Sequence, residues 1–379
     1  MKTSSIFHRF QPIFLAFQKA HSNNKSIINK LRKLANKHHQ PYQPTYFENI
    51  LSDHSKFFDF LNKVSTLNNF KKITLLEAIN AKLTSTTPIN AYVIRNGKLW
   101  IKDLEENKNA KGAEQNIYQK MYDILYQSLI NSLKAKVETQ KLETVKLPNY
   151  ISIPLPKSEK SFVGNYPLGT IFQLTNDHAL MGINWKEIDG ANDLDLSLMD
   201  IDGDKFGWNS AYYNENESVI YSGDMTEADP EATELFYAAK GFKPSLVKVN
   251  LYHGQPNSKF TFFIANEKIN KLELDYMVNP NNITFKVNEL KMDSRDKTLG
   301  VITDYQFILA QVRTGNKQVA GESITNNYIK YLLDTIHHRS YIHDIVEEIG
   351  LKCVDDNYQD KINLDLTNLS KNTLIDLLS

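Results

Sequence analysis

The sequence predicts an α+β chain: a β-sandwich over 148–318, a mostly helical region over 1–147 before it, and a short helical tail over 319–379 after it. Three observations predict this. Apolar residues recur at helical spacing before Pro148. Many short β-branched and aromatic runs, separated by turn residues, follow it. Helical spacing then returns beyond Ser323.

Ile6, Phe10, Ile13, Phe14 and Phe17 share one helical face, with Pro12 placed to open a new helix. Ile27, Ile28, Leu31 and Leu34 repeat the pattern, and Pro41 and Pro44 break it. Two more helices are expected around Phe57, Phe60, Leu61 and Val64, and around Leu75, Leu76, Ile79 and Leu83. The runs 91–95 and 98–101 flank Asn96-Gly97, which predicts a hairpin with a two-residue type I′ turn. Tyr118, Met121, Tyr122, Leu125, Leu129, Leu133 and Val137 line one face of a long helix from 114 to about 142.

Strands are predicted at 150–153, 170–174, 194–198, 218–221, 246–251, 260–264, 283–287 and 305–309. That rhythm of short strands and turns suits a sandwich. In the tail, Tyr328, Tyr331, Leu332 and Ile336 form one helical face and Ile342, Ile345, Val346 and Ile349 another, with Thr325 as a cap for the first.

Aromatic residues make up 11% of the chain, which argues for packed cores and against disorder. The one cysteine, Cys353, excludes an intrachain disulfide and suits a reducing compartment; its plainest role is that of a small apolar residue. The apolar run at 13–17 is too short for a secretory h-region, and no run reaches the roughly 20 residues of a membrane span. A cytoplasmic protein is expected. The first fifty residues carry eight Lys and Arg against one acid, Glu48. Such a charge asymmetry favours self-association or other protein partners. The basic stretch 19–37 is the alternative contact for nucleic acid or an acidic membrane surface, although aromatic interleaving there is limited.

The stretch from Asp189 to Glu234 reads differently. Asp193, Asp195, Asp200, Asp202 and Asp204 fall within twelve residues, seven more acids follow from Glu215 to Glu234, and Lys205 is the only cation. Like charges at this density need solvent or a cation among them. Hard oxygen ligands in loops suit Ca²⁺. Asp200-Ile201-Asp202-Gly203-Asp204 opens like an EF-hand, but Lys205 replaces the invariant Gly and Ala211 the closing Glu, so a plain acidic turn is the better reading. Asp193, Asp195 and Ser197 alternate with Leu194, Leu196 and Leu198. Periodicity leaves two readings: carboxylates sharing a divalent ion, or the solvated outer face of a half-buried strand.

The order of motifs narrows this. The segment 191–197, then Ala211-Tyr212-Tyr213-Asn214, then Glu217-Ser218-Val219-Ile220-Tyr221-Ser222-Gly223-Asp224 and an acidic loop resembles the TerD family of tellurium-resistance and stress-response proteins. The resemblance covers 190–265 well and 150–315 more loosely. It implies a β-sandwich that binds Ca²⁺ through acidic loops, with no catalytic activity. Carried over by position, Asp193, Asp195, Asn214, Gly223 and Asp224 are the implied metal residues. The family's next loop is Gly-rich. Here Met225 takes the place of an Asn and Pro230 stiffens the loop, which leaves Glu227, Asp229 and Glu234 to supply oxygens.

Other chemistry is poorly supported. His337, His338 and His343 lack metal-ligand spacing, and there is no phosphate-binding loop, nucleophile elbow or kinase motif set. The alternative to calcium binding is a hydrolase using the same carboxylates as acid and base, although the histidines His178 and His253 are distant in sequence.

Overall fold

The computed structural model describes residues 25–37, 56–87, 89–93, 99–103, 110–174, 177–186, 192–255, 257–269, 271–274, 276–313, 322–355 and 357–379, together with Ile13, Ala16, Lys19 and Ala20. The predicted breaks at Pro41 and Pro44, the Asn96-Gly97 pair, Asp189 and the segment 314–321 lie outside the described residues. The chain divides into two compact units, Met1–Lys56 and Phe57–Ser379. In the first, the helical spacing produces α1 (Lys25–Lys37).

The second unit begins with α2 (Phe57–Val64), α3 (Asn69–Thr84), strands β1 (Ile89–Val93) and β2 (Leu99–Asp103), and α4 (Ala113–Gln140). Asn68 starts α3 because its Oδ1 accepts the Lys71 N–H at 3.0 Å. The α4 face predicted from Tyr118 to Val137 is buried except for Tyr122, which is half-buried. Strands β1 and β2, the two predicted hairpin strands, pair antiparallel with Val93 opposite Leu99.

Beyond β3 (Thr144–Lys146) the chain becomes mainly antiparallel sheet. The larger sheet has the order β10-β9-β13-β16-β17-β7-β4. Its strands are β4 (Ile151–Ser152), β7 (Ile171–Gln173), β9 (Asp193–Asp200), β10 (Lys205–Gly207), β13 (Ser245–His253), β16 (Asp296–Ile302) and β17 (Gln306–Val312). The second sheet, β11-β12-β8-β14-β15, contains β8 (His178–Lys186), β11 (Val219–Tyr221), β12 (Glu231–Ala239), β14 (Lys259–Ala265) and β15 (Ile283–Lys291). A small ribbon, β5 (Phe162–Val163) with β6 (Tyr166–Pro167), lies between β4 and β7 in sequence. Every strand predicted beyond Pro148 falls on one of these; β5, β6, β8, β10, β12 and β16 are not among the predicted strands.

Aromatic rings join the two sheets. Phe262 of β14 lies 5.1 Å from Phe307 of β17, and Phe172 of β7 lies 3.5 Å from Phe285 of β15. Register then fixes which side chains face inward. Phe262 is opposite Ile183, and Ile183 is opposite Glu234, so all three point between the sheets. The outer face of the second sheet packs Leu180, Leu235 and Phe263 under Ile269, Leu272 and Val278.

The tail begins with α5 (Glu322–Thr335), whose Tyr328, Ile329 and Leu332 cover Leu246 and Val301 on the outer face of the larger sheet. Thr325 is not a cap. It lies inside α5, buried, and its hydroxyl donates to Met199 Sδ. The tail is also not purely helical. Besides α6 (Ile342–Ile345) and α7 (Lys371–Leu378), it supplies β18 (Lys352–Val354) and β19 (Leu364–Asp365), which pair in parallel with β3. Cys353 is exposed on β18 in this C-terminal region. No helix among the described residues is long and apolar enough to cross a membrane.

Candidate metal centre

Strand β9 carries the first two carboxylates. All eight of its residues are buried, so the solvated-face reading of Asp193 and Asp195 fails. Leu194, Leu196 and Leu198 face the second sheet. Asp193, Asp195 and Ser197 face the other way, and Asp195 is only 1% exposed. Asn192 anchors the strand entrance: its carbonyl accepts the Trp185 indole N–H, and its Oδ1 accepts the Ser258 hydroxyl and the Gln255 N–H.

The third carboxylate arrives over the open edge of β9. Strand β10 covers that edge only from Ser197 to Met199. The segment between β11 and β12 fills the remainder. Ser222 fixes it by donating its N–H to the Leu235 carbonyl and accepting the Leu235 N–H on its hydroxyl. Gly223 follows with φ +117°, a conformation that favours glycine, and a Cβ there would stand 2.8 Å from the Leu274 side chain. Asp224 is thereby turned toward β9.

One carboxylate oxygen each from Asp193, Asp195 and Asp224 lies within 4.8 Å of the others. An ion held 2.3–2.6 Å from each ligand requires ligand oxygens no more than roughly 5 Å apart, which the triad meets. Asp193 Oδ1, Asp195 Oδ2 and Asp224 Oδ1 are all buried without a hydrogen-bond partner. Buried carboxylate oxygens are normally satisfied, so these three fit a cation that supplies what the protein does not.

Without a cation, all three carboxyls are held above the usual carboxylate range. Burial, then the charges of Asp193 and Asp224, push Asp195 up to about 8, with Lys205 opposing. Burial and Asp224 push Asp193 up to about 6, against the pull of His253. Burial also raises Asp224. Tyr221, buried beside these acids, is raised by burial and by Glu234, Asp224 and Asp195.

The remaining predicted metal residues are not drawn into the triad. Asn214 is spent on its own turn, with Nδ2 donating to Ser218 Oγ and Oδ1 accepting the Val219 N–H. Glu227 and Asp229 are exposed. Glu234 is not in a loop at all. It lies on β12, fully buried, where Oε2 accepts the Leu196 N–H at 2.6 Å and Oε1 accepts the Met225 N–H at 3.0 Å. It pins the Asp224 segment to β9.

Asp200 forms the expected acidic turn. Its Oδ1 accepts the N–H groups of Asp202 and Asp204, and Gly203 sits at φ +95°. The cation among these acids comes from outside the stretch: Lys243 Nζ lies 2.7 Å from Asp202 and 3.6 Å from Asp200. His338 is buried 3.8 Å from Asp334 and joins no metal-ligand cluster among the described residues.

Two buried polar residues beside the triad were missed. Asn250 and Lys248 alternate with Val247, Val249 and Leu251 on β13, and they stand opposite Asp195 and Ser197. The alternation in 246–251 was the available signal: it puts both polar side chains on one face of a strand otherwise made of valine and leucine.

Fold and site together define an α+β protein with a buried carboxylate triad that can hold a metal ion. No family model, curated protein or solved structure matches the chain.

Proposed function

We propose that this is a non-enzymatic, calcium-binding stress-response or defence protein of TerD type, acting in the cytoplasm. The observation that carries the reading is the convergence of Asp193, Asp195 and Asp224, each with a buried, unpartnered oxygen. The TerD-like order of motifs over 190–265 supports it, and the two packed sheets suit a TerD-like β-sandwich. The lone Cys353 supports the compartment. Calcium would join β9 to the Asp224 segment and relieve the repulsion between their charges, so that binding orders a surface for another protein or a second copy of the chain. The test is calorimetric melting of the full chain in calcium and in chelator. Binding to the native state alone stabilises by about 2.7 kcal/mol at a hundredfold excess over Kd. Identical melts would remove calcium from the reading.

A further inference from the structure

We propose that Asn250 is a further ligand of this ion, its Oδ1 supplying a neutral oxygen from β13 beside the β9 carboxylates. The inference rests on the calcium reading above and extends it to a residue that neither the acidic pattern nor the TerD resemblance marks.

Asn250 stands directly opposite Asp195 in the antiparallel pairing of β13 with β9. Opposed residues project to the same face with Cβ atoms about 4.5–5.5 Å apart. Both are 1% exposed. Yet they do not bond each other. Asp195 Oδ2 and both polar atoms of the Asn250 amide are buried without partners. Asp296, opposite Asn250 on β16, carries its charge beside Lys248 and leaves the amide unengaged. A buried amide with neither its N–H₂ nor its oxygen satisfied is rare in a folded protein. Here it borders the triad, where three further unsatisfied carboxylate oxygens meet. A single cation bound by the amide oxygen would satisfy all four oxygens.

The chemistry bears on selectivity. Asn250 raises the number of oxygens without raising the charge. Ca²⁺ takes six to eight oxygens and accepts amide carbonyls at 2.3–2.6 Å, whereas Mg²⁺ demands a tight octahedron at 2.0–2.1 Å and keeps its waters. Ligands drawn from two neighbouring strands and one loop make a wide, carbonyl-containing site, which favours the larger ion.

The experiment is titration calorimetry of the full-length protein and two variants with calcium chloride and with magnesium chloride, alongside melting in chelator. Asn250→Leu keeps the volume and removes the oxygen; Asn250→Asp keeps the shape and adds charge. The expected result is a loss of calcium affinity in Asn250→Leu of about tenfold to a hundredfold, the range seen when groups around a metal are removed. Its melting in chelator should be unchanged or higher, because an unpaired buried amide has been replaced by an apolar group. Asn250→Asp should bind calcium at least as tightly as wild type and bind magnesium more tightly than wild type. A purely structural Asn250 would give the opposite pattern, with a lower melt in chelator and unchanged affinity. Wild-type affinities in both variants would overturn the assignment and leave the calcium reading intact, whereas no calcium binding by the wild type would overturn both. Should Asn250→Leu not fold, Asn250→Asp decides alone, and calcium and magnesium affinities equal to wild type would reject the ligand.

Discussion

The Leu196 N–H donates to Glu234 Oε2 at 2.6 Å, and through this contact a residue of the second sheet closes the open edge of β9 next to Asp195. The other oxygen of the same carboxyl accepts the Met225 N–H, immediately after Asp224. Glu234 thus sets where the third carboxylate of the triad sits.

Glu234→Gln leaves one acceptor and turns an N–H₂ group toward a backbone donor. Both backbone groups are sheltered from water, so one donor is left unsatisfied at a cost of roughly 1–3 kcal/mol. Urea unfolding should show that loss, and calcium affinity should fall with it because the Asp224 segment is no longer held. Unchanged unfolding would mean that the two sheets do not depend on this carboxyl.

The carboxyls of the triad make a pH prediction. Asp193 and Asp195 stand at about 6 and about 8 in the native state, both above their ordinary values because of burial and mutual repulsion. The native state therefore holds protons that the unfolded chain has released. In chelator, the stabilising contribution is complete below about pH 4 and is lost as pH rises through about 6 and then about 8. Calcium competes with those same protons, so its affinity should rise over that interval. Melting curves in chelator from pH 5 to 9, with calorimetric titration at each pH, measure both slopes. A flat metal-free profile would mean that the triad is not desolvated.

Much of this was legible in the sequence, and the failures have physical causes. Strand β9 was clear because leucine alternates with acid from Asp193 to Leu198. Its burial on both faces was not, since nothing local reveals that α5 and the Asp224 segment cover the polar side. Strands β8 and β16 were hidden by Gly182 and Gly300, residues with poor strand propensity. Tertiary approach explains both: a Cβ on Gly182 would stand 2.4 Å from the Leu235 side chain, and one on Gly300 2.3 Å from the Ile308 carbonyl. Strand β12 was mistaken for acidic loop because Glu231 and Glu234 look solvated when charge alone is read. Glu234 instead points inward and spends its oxygens on backbone N–H groups, a pairing across 38 residues that no local pattern announces.

Asp334 offers a control outside the triad. It accepts from Ser85 Oγ at 2.7 Å, from the Thr86 N–H at 2.9 Å, and from the hydroxyls of Thr86 and Thr87. Burial alone would raise its pKa, but these hydrogen bonds hold it below the ordinary value. The sign is therefore opposite to that of the triad: its stabilisation is present above the unfolded pKa and disappears as pH falls through the lower native one. Asp334→Asn should destabilise by roughly 1–3 kcal/mol in urea unfolding and leave calcium affinity untouched. A loss of affinity would show that α5 and the triad are coupled.

Asp195→Asn and Asp224→Asn test whether the two carboxylates serve one ion. Each change keeps shape and one oxygen and removes a charge. In a shared site, each should weaken calcium binding without abolishing the fold, because several oxygens act at once. Each should also raise stability in chelator above about pH 8, where a buried, repelling charge has been removed. The double variant should lose less affinity than the sum of the single losses, since residues around one ion are coupled, commonly by about 0.5–3 kcal/mol. Titration calorimetry on the wild type and the three variants closes the cycle. Strict additivity would place Asp195 and Asp224 in separate sites. Wild-type affinity in both single variants would remove them from any site. A hydrolytic turnover lost in either variant would instead identify the raised Asp195 as a proton donor and move the protein to the hydrolase reading.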